Sequence, residues 1–251
     1  MPGPKCDYIA ELVKGNLANA VADKSSGRSV PNAALCQLLV GCPQPPGCCA
    51  PSTAACVQPP PPPACEAALA LLQRSGRPGT SFGGQVYPLV WHAFAGSCFN
   101  ATAKAWLFGV INASLPMSIA ESTPQEYSYT NMWLMSTVNS ILFGEIVGGE
   151  RGRIAANVGY NMWEEFYNYT MRAGLHEFTS PTYTYVQLTA LYPGYIYAAR
   201  PGARAQFGHI LDMIWADTAA NTFPPRGELS GPHSRDYDLL LGHGMLLIEM
   251  Y

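Results

Sequence analysis

The sequence predicts an all-α protein made of helical hairpins behind an irregular Cys/Pro-rich N-terminal segment. Three observations predict this. Apolar residues recur with helical spacing in successive stretches from residue 85 onward. Short links marked by glycine or proline alternate with long polar ones. No stretch of comparable strength alternates apolar and polar residues as a strand would.

Residues 1–80 read as leader and linker, and residues 81–251 as the helical domain. A short helix is expected around Asp7–Val21. Seven of the eight cysteines lie before residue 66, at positions 6, 36, 42, 48, 49, 56 and 65. Their density among prolines predicts a disulfide-stapled segment in an oxidising compartment, with a Cys-based metal site the alternative. The tripeptides starting at Asn100, Asn112 and Asn168 are N-glycosylation acceptors compatible with secretion. The start, Met1-Pro2-Gly3-Pro4-Lys5, has no apolar signal core behind it, so a truncated N-terminus is expected. Pro43, Pro45, Pro46, Pro51 and the Pro59–Pro63 run favour a polyproline spacer. A short helix over Glu66–Arg74 and a loop over Gly76–Gly84 follow.

The helical stripes then succeed one another. The first holds Leu134, Val138, Ile141, Leu142 and Glu145, bounded by Gly148-Gly149. The second holds Ile154, Val158, Met162, Phe166 and Tyr169, ended by Gly174. Leu188, Leu191, Tyr192, Tyr195, Ile196 and Ala199 make the third, where Pro193 should kink or split the helix. Phe207, Ile210, Leu211, Ile214, Trp215 and Thr218 make the fourth, and a fifth starts near Tyr237. The links at Gly148–Gly152 and Arg200–Ala203 are tight, whereas those over 174–183 and 222–236 are long. Antiparallel helices joined this way put both long links, and the start of the first helix, on one rim.

Composition narrows the function. The chain has 251 residues, 48% hydrophobic and 12% charged, with a net charge of −3. The charged share is about half the usual one. The absence of a Lys/Arg cluster argues against a nucleic-acid surface, and no apolar run is long enough to span a membrane. The 14 Tyr, 9 Phe and 5 Trp suit a large core and an aromatic-rich cleft.

Three polar corners stand out on the expected rim: Tyr127-Ser128-Tyr129-Thr130-Asn131, His176-Glu177-Phe178-Thr179-Ser180-Pro181-Thr182-Tyr183-Thr184-Tyr185, and Gly231-Pro232-His233-Ser234-Arg235-Asp236-Tyr237-Asp238. Hairpins carrying such loops resemble the α/α-toroid carbohydrate enzymes, in particular the heparinase- and alginate-lyase-like group and the six-hairpin glycosidases. The resemblance covers roughly residues 85–251 and rests on architecture more than on a diagnostic string. It implies a toroid, incomplete at the C-terminus of this chain.

As a lyase, the resemblance implies β-elimination on an acidic polysaccharide or oligosaccharide without a cofactor or catalytic metal. Such chemistry needs a group that neutralises the uronate, a base for the C5 proton and an acid for the leaving oxygen. Asn131, His176, His233 and Arg235 are the neutralising types, and Tyr183 and Tyr237 the base and acid. Tyr127, Tyr129, Tyr185 and Asp236 join the substrate-binding set. As a glycoside hydrolase, Glu177 would face Asp236 or Asp238, with Glu126 a spare. A non-catalytic sugar-binding or wall-associated protein is the third reading. Each candidate also has a structural alternative: His176 as a cap on the preceding helix, Ser180 or Thr182 as an N-cap, Asn131 as a cap or core amide, Glu177 in a salt bridge with Arg235, and His243 in the core.

Overall fold

A computed structural model describes residues 34, 35, 38, 60–75, 82–122, 130–180, 182–223, 228, 229 and 234. The expected helices over Asp7–Val21 and from Tyr237 onward, and six of the leader cysteines, lie outside these residues. Among them the fold is all-α, with one two-stranded exception. The chain divides into two compact units, Met1–Ser114 and Leu115–Tyr251. The expected boundary at residue 80 therefore falls inside the first unit.

In the first unit, α1 spans Pro62–Ser75 and buries Ala64, Cys65, Ala68 and Leu72 on one face. This corrects the reading of Pro59–Pro63 as pure spacer. The carbonyl of Pro61 accepts from the backbone N–H of Ala64 at 2.9 Å. Pro62 and Pro63 thus occupy the first turn, where a missing N–H removes no intrahelical bond and the fixed φ suits the helix. Short helices α2 (Val86–Ala93) and α3 (Ala95–Cys98) follow. Tyr87 is fully buried, and its hydroxyl lies 2.8 Å from Ser75 Oγ. A disulfide joins Cys65 to Cys98, so among the described residues a staple links α1 to α3. Helix α4 (Ala101–Ser122) carries the chain onward. Its Phe108 ring packs 6.0 Å from that of Trp91.

The second unit contains α5 (Thr130–Val147), α6 (Gly149–Ala173), α7 (Tyr183–Tyr197) and α8 (Pro201–Ala220). Helix α5 packs on α6 and α7, and α8 closes against α7 and α6. The single apolar stripe read for α5 understates it. Nearly every residue from Thr130 to Gly144 is buried, including Ser136, Thr137, Asn139 and Ser140, as expected of a helix enclosed on all sides. Its turn into α6 uses Gly148 and Gly149 at φ 63° and 58°, a left-handed pair that glycine adopts without a Cβ penalty. Aromatic rings tie the layers together. Trp163 of α6 stacks 3.7 Å from Phe207 of α8, and Phe166 meets Trp133 of α5 edge-on at 5.1 Å.

Helix α7 is continuous through Pro193, so the expected split does not occur. Proline forfeits one intrahelical bond, but Pro193 and Gly194 are buried, and the Phe207 ring fills the space where a Cβ on Gly194 would sit. Packing holds the helix together there. Beyond α8, strands β1 (Thr222–Phe223) and β2 (Glu228–Leu229) pair antiparallel, with Thr222 opposite Leu229. They form a small hairpin within the long polar link.

Candidate functional site

The ends of the second unit are chemically unlike. At the short-link end, both oxygens of Glu145 accept from Ala199 N at 3.1 Å, and Glu145 also takes the hydroxyl hydrogen of Tyr160. Tyr160 in turn accepts from Arg200 N at 3.1 Å. This cluster ties the end of α5 to the α7–α8 link.

The long links meet at the opposite end. Glu177 is 1% exposed, and its Oε2 accepts from the backbone N–H of Asn131 at 2.8 Å, 46 residues away. A carboxylate on the first turn of α5 satisfies an orphan donor and complements the helix dipole. Ser234 closes the corner from the other side. Its Oγ donates to the His176 carbonyl at 3.1 Å and its N–H to the Phe178 carbonyl at 3.2 Å. Hence the start of α5, the 174–182 corner and Ser234 of the third polar stretch share one rim.

The five catalytic candidates fare differently. Asn131 is buried, its Oδ1 accepting from Met132 N at 2.8 Å. Glu177 is buried beside it. His176 is exposed, and its Nε2 shares a hydrogen bond with the hydroxyl of Tyr169, whose ring it meets edge-on. The cap reading of His176 is therefore replaced by this pair; the end of α6 is closed instead by Gly174, whose N–H donates to the Thr170 carbonyl. Tyr183 is half-buried on the first turn of α7, as is Tyr185. The N-cap reading of Ser180 holds: its Oγ accepts from Tyr183 N at 2.9 Å and its carbonyl from Thr184 N at 3.0 Å. Tyr127, Tyr129, His233, Arg235, Asp236 and Tyr237 lie outside the described residues, as do Glu126, Asp238 and His243.

A cleft of about 280 Å³ opens beside this corner, between it, α7 and the C-terminal half of α8. Leu175, Phe178, Met213 and Ile214 give it apolar walls, and Thr179, Thr184, Asp217 and Thr218 supply polar groups. Phe178 is 48% exposed, which leaves a ring face for a ligand. Thr179 holds φ at 45°, a strained conformation for a β-branched residue and one that clusters at functional sites. The cleft is lined by the chain neighbours of His176, Glu177 and Tyr183 rather than by those three side chains. Asp217 and Tyr169 escaped the sequence reading. Asp217 sits within a regular helix, where only its position in space marks it, and Tyr169 reads as one more member of an apolar stripe.

A second hollow of about 290 Å³ lies along α6 and α8. Its polar groups answer one another: Trp163 Nε1 donates to Gln206 Oε1 and Gln206 Nε2 to Glu164 Oε2, each at 2.8 Å, while the Arg200 guanidinium sits 3.9 Å over the Tyr160 ring. The first cleft is the better candidate site. Among the described residues no three His, Cys, Asp or Glu side chains come together as metal ligands, and no helix is long and apolar enough to cross a membrane.

No curated protein and no solved structure matches the chain. Residues 119–246 match a family described as a domain of unknown function, DUF8769. The match covers α5 through α8, the two-stranded hairpin and all three polar corners, and the chain belongs to the DUF8769 family.

Proposed function

We propose that this chain carries an α/α-toroid-like carbohydrate-active domain that cleaves a uronic-acid-containing polysaccharide by β-elimination. One observation carries the reading: Asn131, the 176–178 stretch and Ser234, one piece from each of three polar stretches remote in sequence, meet on one rim beside an open cleft with both apolar and hydroxyl lining. Clefts at loop ends of a rigid helical scaffold are where such chemistry is commonly housed.

The Tyr169–His176 pair, on the corner beside the cleft rather than in its lining, is the candidate for handling the proton. An imidazole hydrogen-bonded to a phenol brings together two side-chain types that general acid–base chemistry uses. In the proposed step the base takes the C5 proton and the freed electron pair forms the C4–C5 double bond. The C4–O bond breaks, and an acid protonates the departing oxygen. Tyr183 and Tyr237 are the acid candidates by type. His233 and Arg235 flank Ser234 in the chain and are the candidates for neutralising the carboxylate, with Tyr127, Tyr129, Tyr185 and Asp236 for binding.

Asp217 favours a second reading, glycoside hydrolysis, because it places a carboxylate in the cleft itself. A hydrolase needs two, with Asp236 or Asp238 as the other. Incubation with a panel of uronic-acid polysaccharides, followed by ultraviolet absorbance of the unsaturated uronate, separates the readings. Elimination predicts rising absorbance that falls by about 10²-fold or more in Tyr169→Phe and His176→Ala and persists in Asp217→Asn. New reducing ends without absorbance, lost in Asp217→Asn, would replace the lyase with a hydrolase.

A further inference from the structure

We propose that Asn100 carries an N-linked glycan, and that of the three acceptor tripeptides it alone is used. Asn112 lies inside α4 with its Oδ1 buried, and Ser114, its hydroxyl partner in the tripeptide, is 1% exposed and donates to the Val110 carbonyl at 2.9 Å. Asn168 lies inside α6, with its Nδ2 donating to Glu164 Oε1 at 3.2 Å and Thr170 only 2% exposed. Asn100 stands outside any helix, and its hydroxyl residue is not buried. It follows Phe99, extended at φ −113° and ψ 133°, and precedes α4. Both Asn100 and Thr102 are exposed.

The hydrogen bonding at Asn100 is also compatible with a glycan. Its Oδ1 accepts from Ala103 N at 2.9 Å and so caps α4. N-glycosylation leaves that amide oxygen in place and consumes a hydrogen on Nδ2. The donor is a lipid-pyrophosphate-linked oligosaccharide. Asn100 Nδ2 bonds to its anomeric carbon, the bond from that carbon to the pyrophosphate oxygen breaks, and the lipid pyrophosphate leaves with the electron pair. The amide proton passes to a base of the transferase. The Cys65–Cys98 disulfide, two residues upstream, is an independent sign of a compartment where this modification occurs. The inference rests on that compartment and is independent of the lyase reading.

The test is the full chain directed into the secretory pathway of a eukaryotic cell, then treated with peptide N-glycosidase and mapped by peptide mass. The expected result is conversion of Asn100 to Asp, with a mobility shift lost in both Thr102→Ala and Asn100→Asp. Thr102→Ala keeps the capping amide, and Asn100→Asp keeps a capping oxygen, so neither loss traces to misfolding. Asn112→Gln and Asn168→Gln should retain the shift. A glycan on Asn112 or Asn168, or secreted protein with Cys65–Cys98 formed and Asn100 bare, would overturn the proposal. Retention of the chain with both cysteines reduced would overturn it through its compartment.

Discussion

Gly159→Ala should destabilise the second unit although alanine is the better helix former. A Cβ built on Gly159 would stand 2.7 Å from Ile141 N, 2.8 Å from Ile141 Cγ1 and 3.0 Å from Thr137 O. Two of these obstacles are α5 backbone, which cannot rotate away. Gly144 and Gly152 repeat the close approach, with would-be contacts of 2.5 Å to Ala156 N and 2.3 Å to Gly144 O. Relief therefore requires α5 and α6 to separate, and a gap of about 0.5–1 Å forfeits a quarter to a half of each dispersion contact along the seam. Overpacking of this kind costs about 1–3 kcal/mol. The seam is long and made of backbone, so the upper end applies, against a propensity gain of about 1 kcal/mol. The net loss is about 2 kcal/mol, or roughly 6 °C in the melting temperature of a unit this size. Gly202→Ala is the control, at an exposed position of α8 in the same unit with nothing within 4 Å of the new Cβ; it should gain about 0.5 kcal/mol. Calorimetry of the two variants beside the parent decides the matter. If Gly159→Ala melts as high as Gly202→Ala, the glycine seam does not set the α5–α6 distance.

Three other perturbations have definite expected outcomes. Ser180→Ala removes the acceptor for Tyr183 N and should cost about 1 kcal/mol, read as a lower denaturant midpoint with an unchanged slope. Reducing the Cys65–Cys98 bridge, which closes a sequence separation of 33, should destabilise the first unit by about 3–4 kcal/mol on loop entropy; hydrogen exchange should rise there and not in α5–α8. Tyr160 is the third case. Burial first, and then the hydrogen bond to Glu145, raise its phenol above the ordinary 10.0, against a smaller lowering by Arg200 N–H. The native state thus holds this proton more tightly than the unfolded chain, so its contribution is complete below pH 10 and declines as pH rises beyond it. Melting followed through the alkaline range should show a shallower decline in Tyr160→Phe than in the parent.

How much of this was legible depends on the range of the interaction. Helix α8 announces itself because Phe207, Ile210, Leu211, Ile214 and Thr218 all meet the core as their spacing predicts. In α6 the expected stripe is the wrong face: of Ile154, Val158, Met162, Phe166 and Tyr169 only Phe166 is buried. The core face there is Gly152, Ala155, Ala156, Gly159, Tyr160 and Trp163, mostly small residues with a weak apolar signal. The glycine pair at 148–149 is a local device that the sequence alone reveals, whereas the cap, which the sequence leaves open between Ser180 and Thr182, is assigned to Ser180 by its hydrogen bond with Tyr183 N. Helix α5 is less legible, because a helix buried all round has no stripe and its Ser136, Thr137 and Ser140 look like surface residues in one dimension. Pro193 misleads in part for a related reason: propensity predicts a kink or a split, and with Phe207 packed on Gly194 the split does not occur. The proline run before α1 misleads in the opposite sense, since a run read as spacer supplies the first turn of a helix.

The carboxylates show where reading by residue type stops. Glu177 was conspicuous in sequence because it stands in a polar corner of a chain poor in charge, and Asp217 was inconspicuous because it stands in a helix. In space the roles divide the other way. Glu177 is nine-tenths and more enclosed, with its Oε2 committed to the first turn of α5, and an acid so placed fixes the rim. Asp217 is exposed and opens on the cleft, where a carboxylate can meet a substrate. A uronate bound in that cleft would also meet Asp217 as a like charge. The proposed elimination would need a cation strong enough to outweigh it, and Arg235, permanently charged and next to Ser234 in the chain, is the candidate. If Arg235→Ala abolished binding of an acidic polysaccharide in the parent but not in an Asp217→Asn background, the two charges would be acting on the same ligand, and the cleft would be the site.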